Sequence, residues 1–201
     1  MKIKSIDDLT IGEYQRLIDL DYQDINNFEK DIKIISLFTN FDEKTLRDKW
    51  SKNSIDQLKL IVNDVINNDI EKNDLKPFKI KGVKYTFDKN LDKMSTGQFV
   101  DLMKFSENEK KIIENLHILT AILWRRKKGF SIESYNSETV MDRANLFKDN
   151  LKVSKAISTS IFFYTLSKNF SKIIVGSSTV MKKGTETTDH LKDHSMKNGD
   201  F

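Results

Sequence analysis

One helix-starting frame occurs twice in this chain, 85 positions apart. Residues 7–20 read D-D-L-T-I-G-E-Y-Q-R-L-I-D-L, and residues 92–105 read D-K-M-S-T-G-Q-F-V-D-L-M-K-F. Asp7 falls on Asp92, Leu9 on Met94, Thr10 on Ser95 and Gly12 on Gly97. Tyr14 then falls on Phe99, Leu17 on Leu102, Ile18 on Met103 and Leu20 on Phe105. Thr10-x-x-Glu13 and Ser95-x-x-Gln98 both have the form of a capping box, in which a hydroxyl and an acid or amide satisfy the orphan amides of a starting helix. Further on, Glu29, Ile34, Leu37 and Phe38 fall on Glu114, Leu119, Ile122 and Leu123. The pattern predicts a tandem duplication of a helical unit, with residues 5–66 superposing on 90–174. Doubling such a unit makes surface rather than an active site, which favours a scaffold or interaction protein over an enzyme.

The remaining signals extend this frame. Apolar spacing predicts a helix from about Asp24, with Ile25, Phe28, Ile32 and Ile35 on one face. Asp42 can cap a short helix carrying Leu46 and Trp50. Ser54 can cap a longer one with Ile55, Leu58, Ile61, Val62, Val65 and Ile66 as its stripe. The polar stretch 67–77 ends in the only proline and marks a boundary. Residues 78–87, F-K-I-K-G-V-K-Y-T-F, alternate around Lys81-Gly82 and predict a β-hairpin. Ile3, between Lys2 and Lys4, is a candidate third strand. Helices are then expected over 109–127, 137–150 and 154–175, before a polar tail.

The expected fold is therefore mainly α: two tandemly related helical bundles (1–75 and 90–175), a small β-hairpin connector (76–89) between them, and a polar tail (176–201) that is disordered or bound to a partner. That tail holds too few apolar side chains to order itself.

Composition narrows the function classes. Of 201 residues, 38% are hydrophobic and 32% charged, with a net charge of +4 and a pI near 9.0. A mildly basic balance alone is not a nucleic-acid signature. No cysteine is present, so disulfides, thiolate nucleophiles and cysteine metal sites are excluded. No stretch reaches the roughly 20 apolar residues of a membrane span, and the start lacks a signal peptide's apolar run. A soluble protein of a reducing compartment is expected.

No constellation carries catalysis. No G-x-S-x-G elbow and no phosphate loop occurs. Acidic pairs such as Asp7-Asp8 and Asp42-Glu43 sit at helix starts, where carboxylates are favoured electrostatically. His190 and His194 have metal-ligand spacing but no apolar stripe to make a helix and no intervening glutamate, so no metal and no cofactor are expected. His117 reads as a partly buried structural histidine.

Two clusters remain as interaction candidates. Trp124, Arg125, Arg126, Lys127 and Lys128 form the densest basic run. Placed at a helix C-terminus before Gly129, they complement the dipole. Placed otherwise, they suit phosphate or an acidic partner. Phe162, Phe163 and Tyr164 are consecutive and cover more than half a helix's circumference, enough for both core and interface.

The segments T-G-Q-F-V-D-L-M, E-N-L-H-I-L-T-A-I-L-W-R and D-R-A-N-L-F resemble those of small helical proteins encoded among the structural genes of tailed bacteriophages. These are tail-assembly-chaperone-type and virion-associated proteins, including those of crAss-like phages. The resemblance covers about residues 78–175 well and the first unit more loosely. It implies a non-enzymatic structural or assembly role in the virion, or in host cytoplasm during assembly. The implied partners are other phage structural proteins, met through helix faces and the hairpin edge, with self-association open. The alternative is a nucleic-acid-associated protein packaged with the genome, resting on the basic balance and the Trp124–Lys128 run.

Overall fold

The computed structural model describes residues 2–71, 74–88 and 93–165. Its helices begin where short polar side chains can catch their first amides. Thr10 caps α1 (Ile11–Asp19) with a complete capping box: the Glu13 amide donates to Thr10 Oγ1 at 3.2 Å and the Thr10 amide donates to Glu13 Oε2 at 2.8 Å. Asn26 caps α2 (Asn27–Phe38), Asp42 caps α3 (Glu43–Lys49) and Ser51 caps α4 (Lys52–Ile66). Ser54, the expected cap of α4, lies at its third residue and donates its amide to Ser51 Oγ at 3.2 Å. The helix thus begins one turn earlier than the sequence pattern suggested. α2 packs on α4, burying Ile32 and Ile35 of one and Ile55, Leu58 and Val62 of the other. Ile3 forms no strand; the next residue instead donates its amide to the Phe38 carbonyl at 2.8 Å.

The chain then builds the expected hairpin, β1 (Phe78–Ile80) and β2 (Val83–Phe87), with Ile80 opposite Val83. Lys81 and Gly82 both have positive φ, 48° and 80°. Two consecutive left-handed residues are what a two-residue primed turn demands, and Gly82 takes its share without a Cβ penalty.

α5 (Thr96–Phe105) follows, capped by Ser95. Here the capping box is only half made. The Gln98 amide donates to Ser95 Oγ, but its side chain is buried and donates instead to the Ile122 carbonyl at 3.1 Å. The expected helix over 109–127 is three elements: α6 (Glu109–Glu114), α7 (Leu116–Leu123) and a strand, β3 (Trp124–Lys128). α7 is apolar almost all round and buried on every side except at His117, as a central helix must be. It packs on α5 and on α8 (Val140–Asn150). A 3-10 turn, Ser137–Thr139, leads into α8, and a last helix starts at residue 153 and continues through 165.

β3 pairs with β2, Phe87 opposite Trp124 and Tyr85 opposite Arg126, and β4 (Ser131–Ile132) pairs with β3. The result is a four-stranded antiparallel sheet in the order β1-β2-β3-β4. Its inner face is aromatic. Phe78, Tyr85 and Phe87 meet Trp124 of β3 and Phe147 of α8, with ring centroids 4.8–5.6 Å apart.

The two expected bundles are not equivalent. The second half inserts β3 and β4 where the first has α3, and among the described residues it carries one helix more. The halves also interlock. α1 packs on α8, and the Ile11 amide donates to the Leu151 carbonyl at 3.0 Å and the Val153 amide to the Leu9 carbonyl at 2.8 Å. What recurs is the helix cap, not the bundle. Residues 2–160 fall within one compact unit. The polar tail at 176–201, with His190 and His194, lies outside the described residues.

Candidate interaction surfaces

The run expected to end a helix instead crosses the sheet. A helix would scatter four consecutive cations around its circumference. A strand sends them alternately to its two faces. Trp124 decides the matter: its ring belongs to the aromatic layer under the sheet, and its indole N–H donates to Thr159 Oγ1 at 2.9 Å. The run therefore leaves α7 as β3. Gly129 keeps a positive φ of 58°, in the β3–β4 turn rather than as a helix cap.

Directly opposed residues of an antiparallel pair share a face. On the outer face, Lys79 is opposite Lys84, and one step along the β2–β3 register sets Lys127 beside Lys84. Lys127 is in turn opposite Ile132. The next outer row brings Arg125 beside Thr86. The three lysines are exposed, and none has an ion pair among the described residues.

Other charges at the sheet are paired. Arg143 of α8, buried at 5% exposure, donates Nε–H to the Ala121 carbonyl at 2.8 Å and pairs with Glu133 at 3.2 Å. It thereby satisfies an orphan carbonyl at the end of α7. Burial depresses the Arg143 guanidinium, and Glu133 opposes that shift. Glu133 also takes Lys128 at 3.4 Å, and its carbonyl accepts from Arg125 at 2.9 Å. Lys155 lies over the Trp124 ring at 5.3 Å and is held by Asp74; burial lowers its pKa.

Residues 78–88 and 124–133 hold seven cations, Lys79, Lys81, Lys84, Arg125, Arg126, Lys127 and Lys128, against Asp88 and Glu133, a net +5 where the whole chain is +4. All of the chain's basic excess sits on this sheet. At the tip of the β3–β4 turn, Phe130 is fully exposed.

A second surface lies on α5. Gln98 and Leu102 are buried, whereas Phe99, Val100 and Met103 are exposed at 38%, 55% and 44%. Phe99 and Met103 are the counterparts of Tyr14 and Ile18 in the repeated frame, which are half-buried. Asp101, on another side of α5, accepts from the Tyr135 hydroxyl, and burial and Asp101 raise the pKa of that phenol. Beside it, a groove of about 770 Å³ is lined by Gly97, Ile132, Tyr135 and Asn136 among others.

Of the aromatic trio, Phe163 is buried, Phe162 half-buried and Tyr164 43% exposed. The trio is thus divided between inward and outward positions. Trp124 is likewise a core residue, and only Arg125 to Lys128 of its run reach a surface. Lys79 and Lys84 escaped notice because only strand register places them beside Lys127. Among the described residues, no group of three or more His, Cys, Asp or Glu could hold a metal ion, and no helix is long and apolar enough to cross a membrane.

Compared with known proteins, the chain matches no family model, no curated protein and no solved structure.

Proposed function

We propose that this chain is a non-enzymatic interaction protein that binds other proteins of an assembly through helix faces. The observation that carries the reading is α5. One side of the helix anchors it, through Gln98 and Leu102, while Phe99, Val100 and Met103 stand exposed on the other. Grouped apolar side chains left in water cost free energy that a partner recovers. The resemblance to tail-assembly-chaperone-type and virion-associated phage proteins supplies the setting: a virion component, or a factor acting during its assembly in host cytoplasm.

The test is a double substitution, Phe99→Asp with Met103→Asp, on a face that the fold does not use. The variant should keep the helical circular-dichroism signal and melting temperature of the parent, yet lose co-sedimentation with assembling particles. Incorporation at the parent's level would remove α5 as the docking face. Absence of the parent from both particles and assembly intermediates, by mass spectrometry, would remove the assembly role itself.

A further inference from the structure

We infer that the outer face of the sheet is a binding site for single-stranded nucleic acid, with the row Lys79–Lys84–Lys127 on the phosphates and Phe130 beneath a base. The inference does not depend on α5 or on its partner.

Three observations carry it. First, the row is an arrangement that folding alone disfavours. Like charges directly opposed across strands are destabilising, and two successive lysine pairs stand side by side here. The fold does neutralise another cation of the same sheet, setting Glu133 against Lys128 as well as against Arg143 of α8. Among the described residues it pairs none of the three lysines of the outer row with a carboxylate; Asp88, farther along that face, acts on Arg125. Second, the charge is concentrated. With +5 on the sheet and +4 on the whole chain, the remainder sums close to neutral, so the sheet carries the net attraction for a polyanion. Third, the β3–β4 turn that follows Lys127 and Lys128 carries an aromatic with no core role. Phe130 adjoins Lys128 and Gly129 at the hairpin tip and is fully exposed.

Cations that follow a backbone, with an exposed ring for stacking, are the two elements of sequence-tolerant single-strand binding. An acidic peptide would use the lysines but leave Phe130 without a planar counterpart. A duplex would meet the phosphate contacts, but its bases are stacked within the helix and cannot lie on the ring.

The experiment is fluorescence anisotropy of the full chain with a labelled 12-mer of mixed-sequence single-stranded DNA, titrated from about 50 to 300 mM salt. Each phosphate neutralised on a single strand contributes about −0.7 to the log–log slope. Substituting Lys79, Lys84 and Lys127 together by Gln should therefore flatten the slope by about 2. Phe130→Ala should leave the slope alone and weaken binding by about 5- to 150-fold, the range for loss of one stacked base. The triple Gln variant should melt no lower than the parent, because the repulsion within the row is gone. That separates a ligand site from a structural one.

No binding at the lowest salt would overturn the inference. So would a triple variant with an unchanged slope. Poly-glutamate that competes as well as the oligonucleotide would assign the face to an acidic protein instead. A blunt duplex that binds as tightly as the single strand, indifferent to Phe130→Ala, would overturn the single-strand assignment.

Discussion

The indole N–H of Trp124 donates to Thr159 Oγ1 at 2.9 Å, and the Thr159 hydroxyl in turn donates to the Lys155 carbonyl at 2.8 Å. This two-step relay ties the first residue of β3 to the last helix. It holds the point where α7 stops and the sheet begins. Trp124→Phe keeps most of the ring and removes the donor, so it should cost about 1 kcal/mol. Trp124→Ala should cost about 3–5 kcal/mol, since Phe78 and Phe87 lose their common neighbour. Urea denaturation of both variants reads the difference; a Trp124→Phe variant as stable as the parent would mean that the relay contributes nothing.

The two glycines of the recurring frame should answer alanine with opposite signs. A Cβ on Gly12 would lie 3.0 Å from Lys148 Cγ and 3.1 Å from the Lys148 carbonyl oxygen. The backbone of α8 cannot yield as a flexible side chain would, so Gly12→Ala should destabilise by about 1–3 kcal/mol. At Gly97 the nearest atom, on Tyr135, is 4.0 Å away. Gly97→Ala should therefore stabilise by up to about 1 kcal/mol through helix propensity alone. Melting temperatures moving in the same direction would contradict this.

Arg143 joins α8 to the end of α7 and to Glu133. Arg143→Met retains much of the packing but frees the Ala121 carbonyl and leaves Glu133 without its buried partner. A loss of about 2–4 kcal/mol is expected, from one charged hydrogen bond and one broken pair. Adding Glu133→Gln should recover part of the loss, because the uncompensated carboxylate is then gone. A double-mutant cycle measures the coupling, and strictly additive losses would exclude it.

His117 titrates in a window of its own. Burial, with Lys148 nearby, lowers its pKa from 6.5 to about 4, and Gln15 Nε2 lies 3.1 Å from its Nδ1. The folded state thus resists protonation that the unfolded chain accepts. Stability should be level above pH 6.5 and fall as the pH drops from 6.5 towards 4. The shifted carboxyls of Asp8, Glu13 and Glu107 are depressed below ordinary values of 3.8–4.5, so their losses come later, at lower pH. His117→Gln should flatten the curve between pH 6.5 and 4.5 in thermal melts, and an unchanged slope would place the titration elsewhere.

The helix starts were legible because a cap is a local event: a hydroxyl or short acid needs only the amide three residues on, as Thr10, Asp42 and Ser95 show. The hairpin was legible for the same reason, its alternation and its Gly82 turn lying within ten residues. Non-local pairing was not legible. The stretch from Leu116 to Trp124 is apolar save for His117 and Thr120, and periodicity cannot separate buried helix from strand in such a run. Trp124 becomes a strand residue only because Phe87 and Phe78 are there to meet it. The candidate site shows the same divide. Arg125 to Lys128 stood out as neighbours in sequence, whereas Lys79 and Lys84 become their neighbours only through register. The repeated frame misled for the converse reason: one local solution served two helices whose surroundings differ, so Tyr14 is half-buried where Phe99 is left in water.

The ends of the sheet set a limit on how it can meet other molecules. β1 has three residues, preceded by Pro77 and carrying Lys79, while β4 has two. The long strands, β2 and β3, spend both of their edges inside the sheet. A docking strand would find only a few free amides and carbonyls on either flank, too short a template for β-augmentation. The hairpin edge anticipated as a contact is thus closed by β3 on one side and brief on the other. Recognition by this sheet falls to side chains, and its copies can crowd together without its edges seeding the strand-on-strand growth from which fibres form.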